Sequence, residues 1–151
     1  ISDSVDLYGK SKFIGEVVDS HAAITLRTSI VGHELSSRKS LVDWFLGQEG
    51  SVKGFSKAIF SGLPTVELSR VITDFVLPSP ALHGLYHISA DPISKDALLR
   101  LVADQYKKEI NIIPDDSLVI DRSLNSDKFK RATGYKAPAW GALVKMMFDN
   151  K

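Results

Sequence analysis

The sequence predicts an α/β fold in one compact unit, and three observations predict it. Amphipathic helical stretches alternate with short apolar, strand-like runs along all 151 residues. The links are short: only His21 and Ala22 separate the first helix from the first strand. An apolar content of 44% with 25% charged residues suits a globular chain that buries a real core.

The elements follow in order. Asp6 to about Ser20 is predicted as a helix with Leu7, Phe13, Ile14, Val17 and Val18 on its apolar face. Ala22 to Val31 is predicted as a strand carrying Ile24, Leu26, Ile30 and Val31, closed by Gly32. It reads as the last part of a parallel sheet whose other strands lie outside this sequence, which leaves an apolar edge open to pairing and leaves room for a homo-oligomer. His33 to Lys39 is polar and reads as a loop. A helix from Ser40 to Gln48 turns Leu41, Trp44, Phe45 and Leu46 inward, and Lys57 to Phe60 is a short strand. Thr65 is expected to cap the clearest helix of the chain, with Leu68, Val71, Ile72, Phe75 and Val76 at i, i+3, i+4, i+7 and i+8, and Pro78 ends it. Gly84 to Ser89 reads as a strand, Ser94 caps a helix to about Lys107, and Ile110 to Ile113 is a strand before Pro114. A short helix begins at Asn125 or Ser126 and ends on Gly134 as a C′ residue. The last helix starts near Pro138 and buries Trp140, Leu143, Val144, Met147 and Phe148.

The totals exclude several classes. Nineteen basic and eighteen acidic side chains leave +1, too weak a field to gather nucleic acid or anionic lipid. The absence of cysteine excludes disulfides, thiolate zinc sites and cysteine nucleophiles, and leans toward a cytoplasmic location. No apolar run reaches the roughly 18 residues that span a bilayer, and no signal-peptide pattern is present. His21, His33, His83 and His87 have no metal-ligand spacing, so no metal site is predicted. The first residue is Ile1, not Met, and the expectation is that further residues precede it.

Chemistry enters at Tyr8-Gly9-Lys10-Ser11-Lys12. A tyrosine and a lysine four apart on a helix lie on one face and address the same point in space. A nearby ammonium favours the phenolate form, which readies the phenol to exchange a proton near neutral pH. The alternative is a tyrosine and a lysine on a solvated helix face.

Several segments together resemble the extended short-chain dehydrogenase/reductase family, and within it the dTDP-4-dehydrorhamnose reductase-like sugar-nucleotide reductases. Tyr8-Gly9-Lys10-Ser11-Lys12, with Glu16 further along the helix, looks like the family's catalytic segment. Leu26-Arg27-Thr28-Ser29-Ile30-Val31-Gly32 is similar to its strand-end Arg-Thr-Ser segment. Gly62-Leu63-Pro64-Thr65 with Glu67-Leu68, then Gly84-Leu85-Tyr86-His87, then Arg122-Ser123-Leu124-Asn125-Ser126 with Gly134-Tyr135 and Trp140, follow in family order.

The resemblance implies the C-terminal part of a Rossmann-type NAD(P)-binding domain in residues 1–33 and a small α/β substrate-binding region in 34–151, which returns strands to the main sheet. It implies NAD or NADP as cofactor, although no Gly-x-x-Gly-x-x-Gly occurs in these residues. It implies Tyr8 as general acid and Lys12 as its electrostatic partner, both against the nicotinamide ribose, with Ser29 and Ile30 beside the nicotinamide. Arg122 is the candidate for the phosphates of a nucleotide-sugar substrate, its planar fork matching phosphate oxygens. Lys53 and Phe55 fall where a substrate loop is expected, and His33 would line the cleft. In the rhamnose reductases a tryptophan stands near the Ile30 position, so the sugar stays open. Arg27, charged and on a central strand, needs a partner whatever its role. An epimerase or dehydratase of the same superfamily, or a non-catalytic nucleotide-sensing module on the same fold, is the alternative. These residues alone are expected to be inactive and to bind the cofactor weakly at most.

Overall fold

The structure, a computed structural model, describes residues 7–36 and 39–151. In chain order the elements are α1 (Leu7–Ile14), β1 (Ile24–Arg27), β2 (Ile30–Val31), α2 (Leu41–Leu46), β3 (Ser51–Phe55), β4 (Ala58–Phe60), β5 (Leu63–Pro64), α3 (Thr65–Val71), a π-helical turn (Ile72–Val76), β6 (Gly84–His87), β7 (Ile93–Ser94), α4 (Lys95–Tyr106), β8 (Asn111–Asp115), β9 (Ile120–Arg122), α5 (Asp127–Thr133) and α6 (Trp140–Asp149). The fold is α/β.

Pairing is mostly parallel. β1 pairs with β6 from Ile24↔Gly84 to Arg27↔His87, and β2 pairs with β5 through Ile30↔Leu63 and Val31↔Pro64. Strands before and after residue 33 therefore hydrogen-bond to each other. β3 pairs with β8 in parallel. A fourth, three-stranded sheet runs β7-β4-β9, with β7 antiparallel to β4 and β9 parallel to it. α4 and α6 pack on these strands around a core that includes Phe45, Leu63, Val71, Ile88, Leu98, Val102, Phe129, Tyr135, Leu143 and Val144. Burying each of these large side chains stabilises the fold by about 1.5–3 kcal/mol.

The element order holds, and the departures have local causes. The first helix ends at Ile14 rather than Ser20; Asp6, its expected first residue, lies outside the described residues. Beyond Ile14 the backbone is captured by β1: Thr25 Oγ1 accepts from Val17 N at 3.2 Å and donates to Val17 O at 2.9 Å. The expected single strand Ala22–Val31 is two short strands, because Ser29 turns its carbonyl to Leu63 N at 2.9 Å. Thr65 is the first residue of α3 and not its cap; Pro64 takes the cap position and no side chain caps it. The helix then widens into the π turn, where Leu77 N reaches Ile72 O. Of its apolar stripe only Val71 is fully buried. In α2, Val42 and Phe45 are buried while Trp44 is half exposed. Ser94 caps α4 as expected, accepting from Ala97 N, and Ser40 stands just before α2 as its cap, accepting from Asp43 N. Gly134 ends α5 with φ 74°, in the left-handed region, its N–H on Lys130 O at 2.8 Å. β3, β5, β7 and β9 were not anticipated as strands, and β8 continues through Pro114 to Asp115.

A buried ionic knot ties α3 to the C-terminal helices. Glu67 is fully buried and bonded to Arg70 Nε at 2.9 Å, Arg70 Nη2 at 2.8 Å and the Tyr135 hydroxyl at 2.9 Å. Burial pushes the Tyr135 phenol above its ordinary range, with the bond to Glu67 adding to it, so it stays a donor.

Candidate functional site

Two cavities meet at the end of β1. The larger, about 610 Å³, is floored by one face of the β7-β4-β9 layer. Paired residues share a face and alternate along each strand. Ala58 pairs with Ile120 and Phe60 with Arg122, so these four side chains lie on one face, and all four line the cavity. Lys95, the first residue of α4, directly follows β7 and lines it too. β7 and β9 flank β4, so Arg122, level with Phe60, and Lys95, which follows β7 toward the level of Ala58, rise on opposite sides of β4. Neither cation has an ion-pair partner among the described residues. Ser29, Ile30 and His33 belong to the opposite wall, and Leu118 stands at the apolar rim.

The smaller cavity, about 560 Å³, runs between α1 and β1. Tyr8, Lys12 and Glu16 line it with Thr25–Ser29 and Leu124. Tyr8 and Lys12 are on the same face of α1, with the Lys12 ammonium 5.4 Å from the phenol ring centroid. The phenol is 73% exposed, so its hydroxyl is open to the cavity and to solvent. Ser29 belongs to both linings.

Two of the charges around the smaller cavity pair with each other. Arg27 binds Glu16 in bidentate fashion, Nε to Oε1 at 2.5 Å and Nη2 to Oε2 at 2.7 Å, which gives the strand arginine its partner. The Arg27 bond holds the Glu16 carboxyl below the usual carboxylate range despite burial. Burial pushes the neighbouring His87 imidazole down, and the Arg27 cation pushes the same way. Leu124 is fixed by two serines: its N–H donates to Ser61 Oγ at 2.8 Å, and its carbonyl accepts from Ser89 Oγ at 2.9 Å. The Arg122–Ser126 segment is thereby pinned between the two cavities.

The structure thus brings Ser29, Ile30, His33 and Arg122 to one cavity and Tyr8, Lys12 and Ser29 to the other. Lys53 and Phe55 line neither. Both are on β3, and Lys53 Nζ is 2.8 Å from Asp115 on the paired β8. The sequence reading missed Lys95, Phe60, Leu118 and Ile120. The signal for one of them was available: Ile120-x-Arg122 has the i, i+2 spacing that puts Ile120 on the same strand face as Arg122. Among the described residues no group of three potential ligands is placed to hold a metal ion, and no helix is long and apolar enough to cross a membrane.

No protein-family model matches the sequence, and no curated protein matches it. Solved structures do match. dTDP-4-dehydrorhamnose reductase from Bacillus anthracis, in complex with NADP, superposes with a TM-score of 0.75 at 16% identity, over 95% of this chain and 53% of that one. A hypothetical dTDP-4-dehydrorhamnose reductase from Sulfolobus tokodaii gives 0.65 at 20% identity, over 93% and 54%. UDP-N-acetylglucosamine 4-epimerase from Bacillus cereus gives 0.63 at 14% identity, over 82% and 44%. The chain spans about half the length of these proteins, and over that span it has the α/β fold of part of the Rossmann-type sugar-nucleotide reductases.

Proposed function

We propose that this chain is the C-terminal portion of an NAD(P)-dependent reductase that acts on a 4-keto-6-deoxy sugar nucleotide, with residues 1–33 on the cofactor side and 34–151 on the substrate side. The observation that carries the reading is the junction of the two cavities at Ser29: a phenol–ammonium pair stands beside one, and two cations without an ion-pair partner among the described residues stand over an apolar floor in the other. The residues present fit the nicotinamide end of a dinucleotide. Lys12 offers three donors for ribose hydroxyls, and Thr28 and Ser29 follow the C-terminus of β1, where such ligands meet parallel sheets, with Ile30 next at the start of β2.

When bound, a reduced nicotinamide supplies a hydride to the carbonyl carbon of the sugar. The carbonyl oxygen gains the displaced electron pair and takes a proton from the Tyr8 hydroxyl. Lys12 stabilises the phenolate left behind, which is reprotonated from solvent through the open side of the cavity. Arg122 and Lys95 bind the diphosphate from opposite sides of β4, and Leu118, Ile120 and Phe60 meet the base and sugar. In this reading His33 belongs to the cleft wall. Lys53 and Phe55, on β3 and lining neither cavity, take no part in this reading.

The test is NADPH oxidation by the full-length protein with dTDP-4-keto-6-deoxy sugars. Tyr8→Phe is expected to lower turnover by about 10²–10⁴, the usual worth of general acid catalysis. A loss under about threefold overturns the acid assignment. The fold likeness to a 4-epimerase favours one variant, in which the cofactor is kept through the cycle; cofactor retained through purification, with no net NADPH oxidation, would select it.

A further inference from the structure

Both ring nitrogens of His33 are taken by protein partners. Nδ1 is 2.5 Å from Asp43 Oδ1 on α2, and Nε2 is 2.7 Å from the Tyr106 hydroxyl at the end of α4. The same carboxylate gathers the rest of this wall: Asp43 Oδ2 accepts from Glu34 N at 2.8 Å and from Ser40 Oγ at 3.0 Å. Burial raises the Asp43 carboxyl, but the hydrogen bonds from Glu34, His33 and Ser40 outweigh it, so the group stays below its ordinary value. An ionised carboxylate can only accept, so Nδ1 carries a hydrogen. Burial, helped by the Asp43 charge, pushes the Tyr106 phenol up to about 12, so it keeps its proton and can donate to Nε2. The Tyr106 ring in turn stands edge-on to Phe148 of α6, centroids 5.0 Å apart.

An imidazole held this way has no donor or acceptor left for a ligand. Its effect on the larger cavity is to fasten the wall from Ile30 to Glu34 onto α2 and α4. We infer that Asp43, His33 and Tyr106 form a positioning relay, and that Tyr106, which lines neither cavity, sets affinity for the nucleotide-sugar substrate through His33. The inference rests on the assignment of the larger cavity to that substrate.

Tyr106→Phe removes one oxygen and keeps the ring that meets Phe148. In steady-state kinetics of the full-length protein, the KM for the keto sugar nucleotide rises about fivefold to tenfold, the worth of one hydrogen bond. The KM for NADPH and kcat stay within about twofold, because an interaction common to ground and transition states is lost. In a His33→Ala background the same change adds nothing, since the hydroxyl acts only through the imidazole. His33→Gln, whose amide both donates and accepts, recovers part of what His33→Ala loses. An unchanged substrate KM in Tyr106→Phe, or an equal rise in both backgrounds, overturns the relay. If the wild type reduces no keto sugar nucleotide, the functional reading fails and calorimetry with UDP and dTDP decides the relay. Nucleotide affinity about fivefold weaker in Tyr106→Phe upholds it; equal affinities, or no nucleotide binding by the wild type, overturn it.

Discussion

Gly62 is the position at which one added carbon should do the most damage. Its backbone passes so close to Ser29 that a Cβ would stand 2.3 Å from the Ser29 carbonyl oxygen, 2.7 Å from its carbonyl carbon and 2.6 Å from Phe60 Cε2. Ordinary contacts begin near 3.5 Å, so the two backbones must separate by about 1 Å. The Phe60 ring can turn aside, but Ser29 cannot move freely. Its carbonyl accepts from Leu63 N at 2.9 Å, and the next residues are the β2–β5 pair. Relief therefore requires that bond to lengthen and the pair to open. Overpacking costs about 1–3 kcal/mol and the strained hydrogen bond about 1 more, so Gly62→Ala should destabilise by about 2–4 kcal/mol. That is a large share of the roughly 5–15 kcal/mol that a domain has. The control is Gly141→Ala in α6, where nothing lies within 4 Å of the added carbon, and a gain of about 0.5–1 kcal/mol is expected. Urea unfolding of both variants measures the difference. Because Ser29 lines both cavities, Gly62→Ala should also lower kcat/KM more than a core truncation of equal cost, such as Val102→Ala. A Gly62→Ala variant within about 0.5 kcal/mol of wild type would refute the close approach.

Truncating the Glu67 knot should be costly: Glu67→Ala leaves the buried Tyr135 hydroxyl without its acceptor and opens a cavity, while the part-exposed Arg70 keeps Asp74, and it is expected to cost about 2–4 kcal/mol in chemical denaturation. Tyr135→Phe leaves both Arg70 bonds in place and should cost about 1–2 kcal/mol, so equal costs for the two would contradict the geometry. Acid should unfold the chain in a defined window. The Arg27 bond depresses Glu16, and hydrogen bonds that outweigh burial depress Asp43; such groups stabilise above their unfolded values and lose that contribution as pH falls through the folded ones. The melting temperature should therefore hold down to about pH 5 and fall below about pH 4, less steeply in Glu16→Gln; a rise on acidification would contradict the sign. Ser94→Ala removes the side-chain acceptor for Ala97 N and should cost about 1 kcal/mol of stability.

The sequence was most legible where one element decides its own structure. Ser94 and Ser40 announce helices because their hydroxyls satisfy the first free N–H groups, and Gly134 announces an end because only glycine takes that left-handed turn without cost. The α/β class was legible for the same reason. What was hidden depends on partners distant in sequence. β3 reads Ser-Val-Lys-Gly-Phe, with only Val52 and Gly54 buried, and it is a strand because β8 lies beside it some sixty residues later. α1 was read too long because its apolar spacing continues to Val18, whereas Thr25 takes up the Val17 backbone. Helix propensity is a weak prior when the apolar face packs on little, and no described residue of α1 is buried. For the site, Tyr8 and Lys12 could be paired from spacing alone. Arg122 meets Lys95 only through β4.

That last point explains why a short connector outweighs its length. Phe60 to Leu63 links β4 to β5, and each of its residues positions part of one cavity or both. Phe60 is the middle of the larger cavity's floor. Ser61 Oγ accepts from Leu124 N at 2.8 Å, and its carbonyl accepts from Ala90 N at 2.8 Å, which fixes the segment after Arg122 and the strand end after β6. Gly62 admits the Ser29 backbone, and Leu63 N holds it. The motif Gly62-Leu63-Pro64-Thr65 is read in sequence as the start of a helix. In three dimensions its first two residues brace Ser29, which lines both cavities. A substitution there can therefore uncouple the two cavities without touching Tyr8, Lys12 or Arg122, and kinetic effects at Ser61 or Gly62 should track changes in both substrate and cofactor affinity, whereas those at Tyr106 should track substrate alone.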